Sequence, residues 1–166
     1  MKWLLTGLVV TIVTAGIVFA QPRPSSAVYR DRFLAFHYPR SWRVYHWTIP
    51  ATEITFIAYV SNARLRDPCT IRTGREFKCG YPIDRLPRGA VLVTWTASHL
   101  PGTSDRSSPL SIRRPGPCRY VGADATISEL FSGGYYAEAC LRGPGIARAE
   151  RQVREMLSSV DLTGQT

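Results

Sequence analysis

The sequence predicts a single α+β domain, an antiparallel sheet covered on one face by a C-terminal helix. Three observations predict it. Residues 33–38 and 53–60 alternate in side-chain character with the period of a pleated strand, and 90–97 is a strand-length apolar run. Two further strand-like runs, 123–131 and 135–142, flank Gly133-Gly134, which supplies the positive backbone angles of a tight hairpin turn. Beyond Gly143-Pro144-Gly145, the residues Ile146, Ala149, Val153, Leu157 and Val160 recur at helical spacing and form one apolar stripe. Strands followed by one closing helix make an α+β layer arrangement.

The first structured region is residues 33–47, FLAFHYPRSWRVYHW, rich in aromatic side chains and histidine. It reads as two short strands, 33–38 and 42–49, paired around Pro39-Arg40-Ser41. A third strand spans 53–60, with Ile54, Phe56, Ala58 and Val60 expected on one face. Residues 61–89 hold three prolines, three glycines and a cysteine pair, and read as a long loop that needs a staple. AVLVTWTA at 90–97 is the most apolar strand and is expected to be central. A polar loop, a short strand at 110–114 and the glycine-turned hairpin follow. In the helix, 146–160, Arg148, Arg151, Gln152 and Glu155 take the face opposite the stripe, and Glu150 and Arg154 are spaced to pair.

Composition sets bounds. The chain has 166 residues, 45% hydrophobic and 20% charged, which are globular values and exclude wholesale disorder. Less an N-terminal segment, the chain suits one domain of about 140 residues. The formal charge is +9, and all but Lys2 and Lys78 of the 21 basic residues are arginine. The expected partner is an unidentified protein or an anionic component of the cell envelope, which such a surface suits, although a GC-rich genome gives the same arginine excess. The basic residues are dispersed, so no nucleic acid is expected as partner.

Residues 3–20 carry no charge. Their length lies between the apolar core of a signal peptide, about 7–15 residues, and a membrane span of about 17–25. Val18-Phe19-Ala20 places small residues at the cleavage positions, so 1–20 reads as a cleaved signal peptide, with an uncleaved membrane anchor as the alternative. Membrane contact is expected only through 1–20, and only if it is retained. Arg23, Arg30 and Arg32 after the segment weakly favour a cytoplasmic domain, and the cysteines oppose that. The expected layout is a linker at 21–27, one domain at 28–162 with a stapled loop at 61–89, and a tail at 163–166.

Cys69, Cys79, Cys118 and Cys140 all follow the N-terminal segment. An even count behind an export signal points to two disulfides and an extracytoplasmic location, secreted or anchored at the outer face of the cytoplasmic membrane. Of the three connectivities, sequential pairing is expected, Cys69 with Cys79 and Cys118 with Cys140. Cys-x-x-Cys is missing and no histidine stands at ligand spacing from a cysteine, so no metal is expected.

Both ends of this pattern resemble the Mog1/PsbP-like fold. The early segment has Phe36, Tyr38-Pro39 and Trp42, and the closing helix runs into Met156-Leu157-Ser158-Ser159-Val160-Asp161-Leu162. The stretches Cys79 to Pro82 and Val91 to Trp95 are similar to small exported actinobacterial proteins of unknown role. The resemblance implies a binding or accessory module rather than an enzyme.

No G-x-S-x-G, H-E-x-x-H, Walker or Rossmann pattern is present, and no cofactor is expected. Of His37, His46 and His99, the last is the best candidate base, with Ser98, Ser104 and Asp105 near it in sequence. Arg85 and Arg88 read as solvated. Trp42, Arg43 and Trp47 are candidates for stacking on a ligand, and Arg142 stands where loops gather before the helix. The expected function is an exported, non-enzymatic binding or accessory module of the cell envelope, with an envelope hydrolase using His99 as the alternative.

Overall fold

The computed structural model describes residues 25–49, 53–71, 77–100, 102, 106–114 and 116–162. The segment 1–20, the start of the linker and the tail 163–166 lie outside the described residues, as do Ser104 and Asp105. In chain order the elements are β1 (Ser26–Arg30), β2 (Ala35–Pro39), β3 (Arg43–Tyr45), β4 (Ile54–Ser61), β5 (Cys69–Ile71), β6 (Phe77–Cys79), β7 (Val91–Ser98), β8 (Ser108–Arg113), β9 (Ala125–Leu130), β10 (Tyr135–Leu141) and α1 (Ile146–Ser158). A 3-10 turn, Pro117–Val121, precedes β9. The fold is α+β: six antiparallel strands in the order β3-β4-β7-β10-β9-β8, with the helix packed on them. Among the described residues no helix is long and apolar enough to cross a membrane.

Alternation decides what each face buries. In β7, Val91, Val93, Trp95 and Ala97 point to the helix side, as do Ala137, Ala139 and Leu141 of β10. Val153, Met156 and Leu157 of α1 close over them, fully buried. Gly145 caps the helix start at φ 85°, a left-handed angle that favours glycine, and its carbonyl accepts the N–H of Arg148 and Ala149. The helix end is tied to β2. Ser159 Oγ accepts the His37 N–H at 2.8 Å, and Ala35 and Asp161 exchange reciprocal backbone bonds of 2.8 Å. β1 and β2 form their own two-stranded sheet beside the helix. Its turn is held by Asp31, which accepts from the Phe33 and Leu34 N–H groups and from the Tyr29 hydroxyl.

The expected hairpin of 33–38 with 42–49 does not form. β2 pairs with β1, whose Ser26 and Ala27 were expected in the linker, and β3 pairs with β4. The turn at Pro39, where the Trp42 N–H bonds the Pro39 carbonyl at 2.8 Å, carries the chain from one sheet to the other. The aromatic side chains need two cores rather than one. Phe36 stacks on Trp95 under the helix, 5.0 Å between rings, whereas Tyr45 and Trp47 pack on the opposite face. β4 also departs from simple alternation. A bulge between Phe56 and Ala58 sends Ile57, Ala58 and Val60 to the helix side and Phe56 and Tyr59 to the other. Ile54, Phe56, Ala58 and Val60 therefore do not share one face. Glu150 pairs with Arg114 rather than with Arg154.

The second face of the sheet is covered by the loop after β4. Leu65, Leu86 and Ala90 pack on Leu92, Val121 and Cys140. Asn62 bonds both Gly89 and Val91, and the Leu86 N–H bonds the Val121 carbonyl. Both disulfides have the sequential connectivity. Cys69–Cys79 joins directly opposed residues of β5 and β6 and staples the loop. Cys118–Cys140, fully buried, fastens the 3-10 turn to β10. Two disulfides point to an oxidising, extracytoplasmic environment.

Candidate functional site

Among the described residues, the loop layer leaves part of the second face open, and a cleft of about 320 Å³ lies there. Its floor is two rows of side chains set by the strand register. One row runs Tyr59, Thr94, Glu138 across β4, β7 and β10, and the next runs Phe56, Thr96, Tyr136. Ile54 lies at one end. The wall is Gly80-Tyr81-Pro82, which follows directly on the stapled Cys79. The Cys69–Cys79 bridge thus anchors a cleft wall through its neighbour in sequence.

Among the described residues, Glu138 is the one charged side chain in the lining. It is half-buried, and its carboxyl is held above the ordinary glutamate value by burial, against a lowering by the Tyr81 and Tyr136 hydroxyls that hydrogen-bond it. Burial likewise raises the Tyr81 and Tyr136 phenols, with the Glu138 charge adding to both. A carboxyl whose folded pKa exceeds its unfolded one contributes stability that is complete below the unfolded value. That contribution is lost as pH rises through the folded value. Ionising Glu138 in the folded protein therefore carries a cost imposed by its burial.

The Cys118 and Cys140 sulfurs and a Glu138 oxygen lie within 4.8 Å of one another. The two sulfurs are bonded to each other, so they offer no thiolate to a metal.

The residues singled out in the sequence do not assemble into one site. Trp42 is 5% exposed and belongs to the helix-side core. Trp47 lies on the other face, stacked on Tyr45 at 5.4 Å and tilted against Tyr59 at 5.5 Å. Arg43 is exposed on β3, the sheet edge. Arg142 serves the architecture. Its Nη1 donates to the Leu86 carbonyl at 2.6 Å, and its backbone bonds Gly89 and Ala90, fixing the loop layer to the end of β10. Arg85 and Arg88 are exposed. His46 lies beside the Ile57 carbonyl and stacks on Tyr29. His99 Nε2 is 2.7 Å from Thr55 Oγ1 at an exposed strand end, and the Ser98 hydroxyl accepts the Leu100 N–H.

The cleft had a signal in the sequence that single-residue reasoning passes over. Thr94 and Thr96 interrupt the most apolar strand at one parity, and Glu138 stands between Ala137 and Ala139. Polar residues at alternate positions in two buried strands mark a face that is not simply core. No family model, curated protein or solved structure matches this chain.

Proposed function

We propose that the protein is an exported binding module of the cell envelope that holds a small ligand in the cleft above Glu138 and does no chemistry on it. The observation that carries this reading is the open part of the second sheet face. Aromatic walls and a lone carboxylate converge there in a concavity of ligand size, about 320 Å³. We also take the domain to be Mog1/PsbP-like. The antiparallel sheet, the closing helix and the return of the chain at Asp161 to pair with Ala35 support that assignment. The arginine-rich exterior is the part of the molecule suited to an anionic envelope component. A hydrolase using His99 gains no support from the cleft, because His99 is not in its lining.

The test is protein-observed NMR on the disulfide-intact protein with a library of small organic fragments. Shifts are expected at Thr94, Thr96, Tyr136, Glu138 and Tyr81. They should vanish in Thr96→Trp, which fills the floor, and persist in His99→Ala. Fragments that bind only elsewhere overturn the cleft reading. A hydrolytic activity lost in folded His99→Ala protein replaces it with the enzyme.

A further inference from the structure

We propose that the ligand class of the cleft is an organic cation carrying an alkylated ammonium group, which rests on the cleft reading above. Among the described residues Phe56, Tyr81 and Tyr136 line the concavity, with Tyr59, 2% exposed, stacked on Phe56. Their ring faces carry the negative end of the aromatic quadrupole, which attracts a cation within about 6 Å of a ring centroid. Glu138 adds the one formal charge, and it is negative. Tyr136 and Glu138 stand two apart on β10 and line the same cleft as Tyr81, so the charge and the rings border one space.

What the lining omits is equally specific. The chain has 21 basic residues and a net charge of +9, yet among the described residues that line this cleft there is no arginine or lysine. An anionic ligand would meet a carboxylate there with nothing to neutralise it. The lining also lacks asparagine, glutamine and tryptophan. A sugar would find only Thr94, Thr96 and tyrosine hydroxyls beside one carboxylate, with few fixed donors to orient it. A desolvated carboxylate among aromatic rings gains most from a weakly hydrated cation. Such a cation needs no directed hydrogen bonds and keeps a large apolar surface against the rings. Tyr59 and Phe56, near-parallel at 6.0 Å, stack on each other in the apolar floor.

The experiment is calorimetric titration of the disulfide-intact protein with choline and, separately, with 3,3-dimethylbutan-1-ol, the neutral compound of nearly the same shape. Choline should bind at least about tenfold more tightly, the factor that about 1.4 kcal/mol of cation–π and ionic attraction gives. Glu138→Gln should remove most of that preference while the neutral compound binds as before. Tyr81→Ala should weaken choline, with the urea midpoint checking that each variant is folded. A flotation assay with phosphatidylcholine vesicles separates a lipid headgroup from a free cation as the source. Co-flotation that choline competes away assigns the headgroup, and choline binding without co-flotation assigns the free cation. Equal affinity for choline and its neutral isostere overturns the cation inference and leaves the cleft reading standing. If neither binds while other fragments, sugars included, shift Thr94 and Glu138, the inference again fails alone. If nothing shifts the cleft residues, both readings fall.

Discussion

Leu157→Ala tests whether the terminal helix is part of the core or an ornament on it. Leu157 is 2% exposed, with Val153 and Met156 as its buried neighbours on α1. The substitution deletes three carbons from that layer. At about 0.8 kcal/mol per buried methylene, transfer alone costs about 2.4 kcal/mol. The helix is pinned at both ends, by Gly145 at its start and by Ser159 and Asp161 at its finish. It therefore cannot collapse fully into the gap. A residual cavity of roughly 40 Å³ adds about 1 kcal/mol at about 24 cal/mol per Å³. The expected loss is about 3.4 kcal/mol, inside the usual range of about 2–5 for such a truncation. Arg151 is exposed on the same helix, and Arg151→Ala should change stability by no more than about 0.5 kcal/mol. Urea unfolding at constant m-value reads both. A loss below about 1 kcal/mol for Leu157→Ala, or an equal loss for Arg151→Ala, would refute the reasoning.

Glu138→Gln should raise the urea midpoint near pH 7, because it removes a half-buried charge whose carboxyl is held above the ordinary value. The advantage should close as pH falls below about 4, where wild-type Glu138 is protonated in both states. Tyr81 and Tyr136 face it throughout, and neither titrates in that interval. Non-reducing peptide mapping should return Cys69 joined to Cys79 and Cys118 joined to Cys140, and each Cys→Ala pair should cost about 3 kcal/mol of stability. Under native conditions, dithiothreitol with alkylation and mass spectrometry should find Cys69–Cys79 opened first, since Cys79 is exposed and both Cys118 and Cys140 are fully buried. Asp31→Ala should destabilise by about 2 kcal/mol in urea melts, because the Phe33 and Leu34 N–H groups and the Tyr29 hydroxyl lose a charged acceptor.

What the sequence made legible is what alternation and helical spacing encode directly. The central strand, the glycine-turned hairpin and the closing helix fall where their patterns place them. At that hairpin Gly133 and Gly134 take φ values of 77° and 75°, as a tight turn requires. Sequential cystine pairing was legible because the cysteines of each pair are near each other in the chain. Strand partnership was not. Residues 33–47 carry rings at both parities, and a pattern of rings cannot say that β2 belongs with β1 while β3 belongs with β4. The site was missed for a related reason. Tryptophan and arginine draw attention as binding residues, yet Trp42 is core and Arg142 holds a loop. The residues that form the cleft come from four separate stretches, and only the strand register brings Tyr59, Thr94 and Glu138 into one row.

That register depends on one irregularity. Without the bulge in β4, Phe56 and Tyr59 would fall on opposite faces, since they are an odd number of positions apart. One ring would then leave the cleft and intrude on the helix-side core. With the bulge, Ile57 and Ala58 both serve that core, where small Ala58 lies opposite the bulky Trp95. Phe56 and Tyr59 both serve the cleft. The extra residue therefore lets one strand contribute consecutive core residues to the face under the helix and keep two aromatic rings on the other. Its place beside the cleft accords with the use of bulges to re-aim side chains at functional surfaces. The same division explains the loop layer. Leu65, Leu86 and Ala90 bury the part of the second face that holds Leu92 and Cys140, whereas Gly80, Tyr81 and Pro82 border the cleft over Thr94, Thr96 and Glu138. Among the described residues, Tyr81 follows the stapled Cys79 by two positions and borders the cleft together with the half-buried Glu138.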